Sequence, residues 1–174
     1  MSAPGISIRA ARPSDAPVIA DFNRRLALES EGREIDPATL DEGVRKLLAD
    51  PARGQYWVAE DTEPAGRGAA GVSAPASGPV PAGQCLVTTE WSDWTNGRYW
   101  WFQSVYVPPE YRGRGVFRAL WDHVESLARK EGDVASLRLY VERDNASARA
   151  IYEKLGMEET GYLVYEKWLI DRNG

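Results

Sequence analysis

The 174-residue chain has one cysteine, Cys85, and one histidine, His123. A lone cysteine excludes an internal disulfide and any site built from several thiolates. A lone histidine excludes metal sites built on histidine pairs, and Ser-His or Cys-His chemistry would have a single imidazole to draw on. Neither residue reads as catalytic. Cys85 sits between Gln84 and Leu86 in a strand-like run, where a small buried residue is the common case. His123 lies off the apolar stripe of its helix, which predicts a solvated position. No metal is expected. No apolar run approaches the ~18 residues of a bilayer span, and the stretch from Met1 to Arg9 has no signal-peptide apolar core, so a cytoplasmic protein with no membrane partner is expected. Positive charge is also scarce: 21 Lys and Arg against 26 Asp and Glu give a formal net charge of -5. Such a chain does not offer the broad basic surface that a nucleic-acid partner requires. No Gly-Lys-Ser or Gly-Lys-Thr follows a glycine loop, which excludes a kinase-like phosphate loop.

What is present suffices for a normal core. A hydrophobic content of 43% over this length predicts one domain across residues 1–174. Ile6 to Arg9 alternates as a short strand, and Arg12-Pro13-Ser14-Asp15 turns into a helix carrying Val18, Ile19, Phe22 and Leu26. Asp36-Pro37 opens a second helix with Leu40, Val44, Leu47 and Leu48 on one face, closed by Asp50-Pro51. Gln55 to Glu60 and Gln84 to Glu90 read as strands. Between them the Gly, Ala, Pro and Ser-rich stretch from Pro64 to Gly83 predicts a flexible loop spanning about 62–83. Asn96-Gly97 marks a hairpin into a long strand, Tyr99 to Val107. Phe117, Leu120, Trp121, Val124, Leu127 and Ala128 share one helix face, which Gly132 ends. Leu137 to Val141 then alternates as a strand, Asn145 to Leu155 as a helix, and Tyr162 to Ile170 as a last strand. This order predicts a three-layer α/β/α sandwich around a mixed sheet.

Between the long strand and the helix that follows it lies Tyr111-Arg112-Gly113-Arg114-Gly115-Val116-Phe117-Arg118. Two glycines let the backbone turn and approach a ligand, and the helix start behind them offers N–H groups and a positive dipole end. Three arginines raise the local positive charge in an acidic chain. The pattern suits a polyanion such as a pyrophosphate; a plain helix-capping surface turn is the alternative for so short a motif.

The run Val105-Tyr-Val-Pro-Pro-Glu-Tyr-Arg-Gly-Arg-Gly-Val, its helix, the next strand, and Val141-Glu-Arg-Asp-Asn-Ala-Ser-Ala-Arg-Ala-Ile-Tyr152-Glu-Lys-Leu-Gly-Met157 resemble the GNAT superfamily of N-acetyltransferases. The order of elements from Ile6 to Ile170 agrees, so the resemblance covers nearly the whole chain. A narrower likeness around Trp91-Ser-Asp93-Trp94 and Tyr152 points to the diamine and polyamine acetyltransferases. The resemblance implies an acyl-CoA N-acyltransferase fold with a splayed sheet. It implies acetyl-CoA as donor, with its pantetheine arm along Val105, Tyr106 and Val107. The pyrophosphate would meet Arg112, Gly113, Arg114, Gly115, Val116, Phe117 and Arg118, and Asn145 and Ser147 would contact the arm. Asn145 and Ser147 also suit helix capping. The family usually has Gly or Ala where Phe117 stands, and a bulky side chain there would crowd the cradle unless it packs inward.

Tyr152 matches the family's general acid, donating to the departing thiolate. Its spacing with Ala148, Ile151 and Leu155 equally fits an apolar helix face. The Val105 N–H suits the oxyanion. The relatives' acidic residues before the cofactor strand are Gln103 and Ser104 here, which leaves Glu29, Glu31, Glu90 and Asp93 as candidate bases. Trp91, Trp94, Tyr99, Trp100 and Trp101 crowd one region; most belong in the core, and Trp101 is a candidate for the acceptor pocket. The expected reaction moves an acetyl group to a small-molecule primary amine by direct attack in a ternary complex. A non-catalytic acyl-CoA-binding module or sensor, or acetylation of a protein or peptide amine, is the alternative. The aromatic surplus permits a homodimer.

Overall fold

The computed structural model describes residues 5–63 and 78–169. The elements run β1 (Ile6–Ala10), α1 (Ala16–Glu31), α2 (Pro37–Ala49), β2 (Gln55–Asp61), β3 (Val80–Ser92), β4 (Gly97–Tyr106), α3 (Val116–Glu131), β5 (Val134–Leu139) and α4 (Ala146–Lys154). The backbone groups into two compact units, Met1–Tyr140 and Val141–Gly174. Among the described residues no helix is long and apolar enough to cross a membrane.

The first unit holds the sheet, in the order β1-β2-β3-β4-β5. The first four strands are antiparallel to their neighbours, and β5 lies parallel to β4. Alternation along the strands assigns its two faces. Tyr56, Val58 and Leu86 join Ala16 and Ile19 of α1 and Val44 of α2 in one core cluster. On the other face Phe102 stacks on Trp121 of α3 at 5.1 Å, and Trp57 meets the His123 ring edge-on at 4.5 Å. Helices thus cover both faces of a mixed sheet, the expected three-layer arrangement. The α3 stripe buries Val116, Ala119, Leu120, Trp121, Val124 and Ala128.

Polar groups fix how α1 sits. Gln84, fully buried, donates from its amide to Asn23 Oδ1 at 2.9 Å, and Asn23 donates to the Tyr56 hydroxyl at 3.0 Å. At the start of α1, Arg9 holds Asp15 through two bonds of 2.6 and 2.9 Å while also reaching Glu60 at 2.8 Å. Burying a carboxylate is tolerable because this fork satisfies it.

Several sequence expectations need correction. His123 is half-buried, not solvated: Trp57 covers its ring, and burial lowers its basicity. The loop expected over 62–83 ends early, since β3 begins at Val80, which pairs with Asp61 across the sheet. Pro81 fits this strand because it lies where the register shifts, between Ala59 and Glu60, so its missing N–H is tolerated. Residues 64–77 of that predicted loop lie outside the described residues. The strand expected at Leu137 to Val141 is displaced to Val134–Leu139, because its partners are Arg98 to Phe102 of β4. Tyr162 to Leu169 forms no strand. Every side chain there is exposed, and an alternating pattern without a neighbouring strand has no ladder to complete; Ile170 lies outside the described residues. The Asn96-Gly97 hairpin forms, but with Asp93 to Asn96 as the turn and Gly97 inside β4. Gly97 is required there, since a Cβ would come within 2.6 Å of the Asp133 carbonyl oxygen.

Candidate active site

The site begins where two parallel strands part. β5 pairs with β4 up to Phe102↔Leu139, yet β4 continues to Tyr106. The cause is visible on the other side of β4, where Leu86 opposes Ser104 but Val87 opposes Phe102. Gln103 is therefore an extra residue in β4, a bulge that bends the strand. Beyond it, the β4 edge that faced β5 has no strand paired to it among the described residues, and Val105 and Tyr106 lie on this stretch.

The chain then leaves the sheet through a tight turn. Tyr111 N–H donates to the Pro108 carbonyl at 2.9 Å and Arg112 N–H to that of Pro109 at 3.2 Å. The Arg112 N–H is thus spent within the turn. Gly113 and Gly115 both adopt the left-handed region, φ +73° and +79°, which glycine enters at no steric cost. Gly115 is the N-cap of α3 and supplies no side-chain cap. The first bond into the helix runs from Ala119 N–H to the Gly115 carbonyl at 2.9 Å, so the first-turn N–H groups face the glycine loop. A Cβ at Gly113 would meet nothing within 4 Å, so the space beside the loop is open. Loop and helix start together can hold a pyrophosphate.

The arginines around the loop are held by carboxylates. Arg114 pairs at 2.7 Å with Asp61, which is fully buried at the end of β2, and lies over the Tyr111 ring. Arg118 pairs with Asp122 at 2.7 Å. Arg112 bonds the Val107 carbonyl at 2.9 Å and Glu29 at 2.5 Å. The positive character of the cradle therefore comes chiefly from main-chain N–H groups. Behind it, Gly83 of β3 lets three elements meet: a Cβ there would come within 3.0 Å of the Tyr106 carbonyl oxygen and of Val116.

Phe117 is half-buried, its ring 6.5 Å from that of Trp121 one turn on. Its side chain thus lies beside the α3 aromatic row.

The candidate bases fall apart on inspection of their partners. Glu29 accepts from the Tyr106 hydroxyl at 2.6 Å as well as from Arg112, and these bonds hold its carboxyl below the usual range, which weakens it as a base. Burial, reinforced by Glu29, pushes the Tyr106 phenol up. Glu31 is exposed at the end of α1, and Asp93 is exposed in the hairpin turn. Glu90 and Trp101 do come together, the indole N–H donating to the carboxylate at 2.6 Å. Trp91 and Trp94 are exposed on the hairpin, 62% and 84%. Cys85 is buried and its thiol pushed well up, so it is no nucleophile.

In the second unit Asn145 caps α4, its Oδ1 accepting from Ala148 N–H at 3.1 Å and from the Ser147 hydroxyl at 3.0 Å. Tyr152 lies on α4, and burial pushes its phenol up, which keeps the proton on at neutral pH.

Sequence reading missed the Gln103 bulge, Asp61 and Gly83. No local pattern marks a bulge, and a buried partner for Arg114 from another strand is invisible in one dimension.

The match to known proteins bears on the whole arrangement. The model of the acetyltransferase (GNAT) family aligns with residues 20–157. The chain belongs to this GNAT family. A possible acetyltransferase from Clostridium difficile 630 superposes with TM-score 0.80 at 39% identity, covering 95% of this chain and 99% of that one. The ribosomal protein bS18-alanine N-acetyltransferase of Escherichia coli (strain K12) is 43% identical over 32% of this chain and 37% of its own length. A thialysine N-epsilon-acetyltransferase of Bos taurus is 34% identical over 47% of each chain. The chain thus spans less than half the length of the curated relatives it matches.

Proposed function

We propose that the protein is an N-acetyltransferase that moves the acetyl group of acetyl-CoA to the primary amine of a small molecule. The observation that carries this reading is the junction of the bulged, unpaired end of β4 with the Gly113/Gly115 cradle at the start of α3. Pantetheine amides would add to the free β4 edge around Val105, Tyr106 and Val107, as a strand adds to a sheet. The pyrophosphate would lie on the loop and first helical turn from Gly113 to Arg118. Acetyl-CoA supplies the activated thioester. The chain's part is to fix the carbonyl in the splay, hold the oxyanion on a β4 N–H, and give the thiolate a proton. Tyr152 is assigned that last role, with Asn145 and Ser147 assigned to the arm beyond their capping bonds. The whole of residues 1–174 acts as one catalytic domain.

Calorimetric titration with acetyl-CoA tests the cradle, with Gly113→Glu as control. That position is open but left-handed, so the variant adds a carboxylate and ~1–2 kcal/mol of backbone strain. Saturable binding by the wild type, lost in the variant, is expected; no binding by the wild type overturns the reading. Tyr152→Phe should keep acetyl-CoA affinity and lose ~10²–10⁴-fold in kcat. Unchanged turnover would remove Tyr152 from the mechanism, and binding without turnover of any amine would favour a sensor.

A further inference from the structure

On the sheet face that carries Leu86, the strands continue into a polar and aromatic shelf beside the splay. Glu90 opposes Tyr99, and Trp101 opposes Thr88 on one side and Arg138 on the other. Three arginines stand in the strands. Arg9 is paired with Asp15 and Glu60, and Arg98 with Glu131 and Asp133. Arg138 differs: among the described residues it has aromatic neighbours and no carboxylate. Its guanidinium lies 3.4 Å from the Tyr99 ring centroid and 5.5 Å from that of Trp101. Trp101 in turn stacks on Tyr140 at 4.7 Å and donates to Glu90 at 2.6 Å.

Stacking occupies the face of a guanidinium and leaves its in-plane N–H groups, the fork that matches a carboxylate. The shelf therefore presents an anion site at Arg138 and a carboxylate at Glu90, two strands apart and two residues offset in register, about 12 Å between backbones. Indole and phenol rings lie between them. The shelf abuts Phe102↔Leu139, the last pair before the splay opens.

We infer that Arg138 selects the acceptor: an amino acid whose reacting amine is on its side chain and whose carboxylate docks on this guanidinium. The α-ammonium faces Glu90, and the alkyl chain runs along Trp101 and Tyr140 towards the splay, where its terminal amine meets the thioester. A diamine lacking the carboxylate would leave the cation at Arg138 without its counter-charge and bring a second cation towards it. This inference rests on the acetyltransferase reading above and narrows its substrate class.

The test compares lysine with cadaverine and ornithine with putrescine, pairs that share the amine and differ by the carboxylate. For the wild type, kcat/KM for the amino acid is expected to exceed that for its diamine by ~10–100-fold, the worth of one charge-assisted contact. In Arg138→Gln that ratio should collapse towards one, with KM for the amino acid carrying the change; Arg138→Lys, which keeps charge but not the fork, should lie between. Acetyl-CoA titration of each variant checks that the fold and cradle are intact. Wild-type preference for diamines, a ratio that survives Arg138→Gln, or turnover of neither class despite acetyl-CoA binding would overturn the assignment and leave the cofactor reading standing. Failure of the wild type to bind acetyl-CoA would bring down both.

Discussion

Replacing Gly83 by alanine adds one methyl group at the point where β3, the end of β4 and the start of α3 converge. The new Cβ would lie 3.0 Å from the Tyr106 carbonyl oxygen, 3.0 Å from Val116 Cγ1 and 3.3 Å from Val107 Cγ2. Ordinary contact needs several tenths of an ångström more, and two of the obstacles belong to a β4 backbone group and a fully buried side chain. Overpacking of this kind costs about 1–3 kcal/mol. For a chain of this size each kcal/mol corresponds to about 2–4 °C, so the melting temperature should fall by about 2–12 °C. Gly43→Ala is the matched control. It makes the same chemical change within α2, where a Cβ meets nothing within 4 Å, and should stabilise by about 0.5–1 kcal/mol. Thermal melts followed by circular dichroism read both. Because Val116 begins the helix behind the glycine loop, calorimetry should also show weaker acetyl-CoA binding by Gly83→Ala and unchanged binding by Gly43→Ala. A Gly83→Ala protein melting at or above the wild-type temperature would refute the packing argument. One that melts low yet binds with wild-type affinity would separate the packing from the cradle.

Two further outcomes follow from the buried ionisable groups. The Arg9 fork holds the Asp15 carboxyl below its usual value, so its stabilisation is complete above the unfolded carboxylate value near pH 4 and fades as pH falls through the lower, folded value. Asp15→Asn should therefore cost about 1–3 kcal/mol at pH 7 in urea unfolding, and the gap to wild type should close in acid; a gap independent of pH would refute the linkage. Cys85, buried with its thiol pushed up, should resist a disulfide reagent in the native protein and react fully in denaturant. Native-state labelling at the rate of a free thiol would show that β3 opens.

The fold was readable wherever a periodic pattern met a partner of its own length. The apolar stripes of α1, α2 and α3 were legible, as were β1, β2 and the hairpin, because each buries one face and begins or ends at a cap, Pro or Gly. Tyr162 to Leu169 shows the converse, since alternation names a face but not a neighbour. The glycine cradle was legible because left-handed backbone is demanded locally at Gly113 and Gly115. The state of its arginines was not, because Glu29 and Asp61 come from other elements. Leu137-Arg-Leu-Tyr140 contained the alternation that sets Arg138 and Tyr140 on one face, but only the pairing of Trp101 with Arg138 brings the guanidinium to the rings.

The pairing of Asp61 with Val80 has a practical consequence for engineering. The sheet is already closed at that rung, so the sequence from 62 to 79 leaves and re-enters at fixed points whatever its length. That rung also holds the buried Asp61 that anchors Arg114, so a change to the chain made up to Asp61 would reach the cradle, whereas the ladder of β2 and β3 is complete without the residues that follow Glu63.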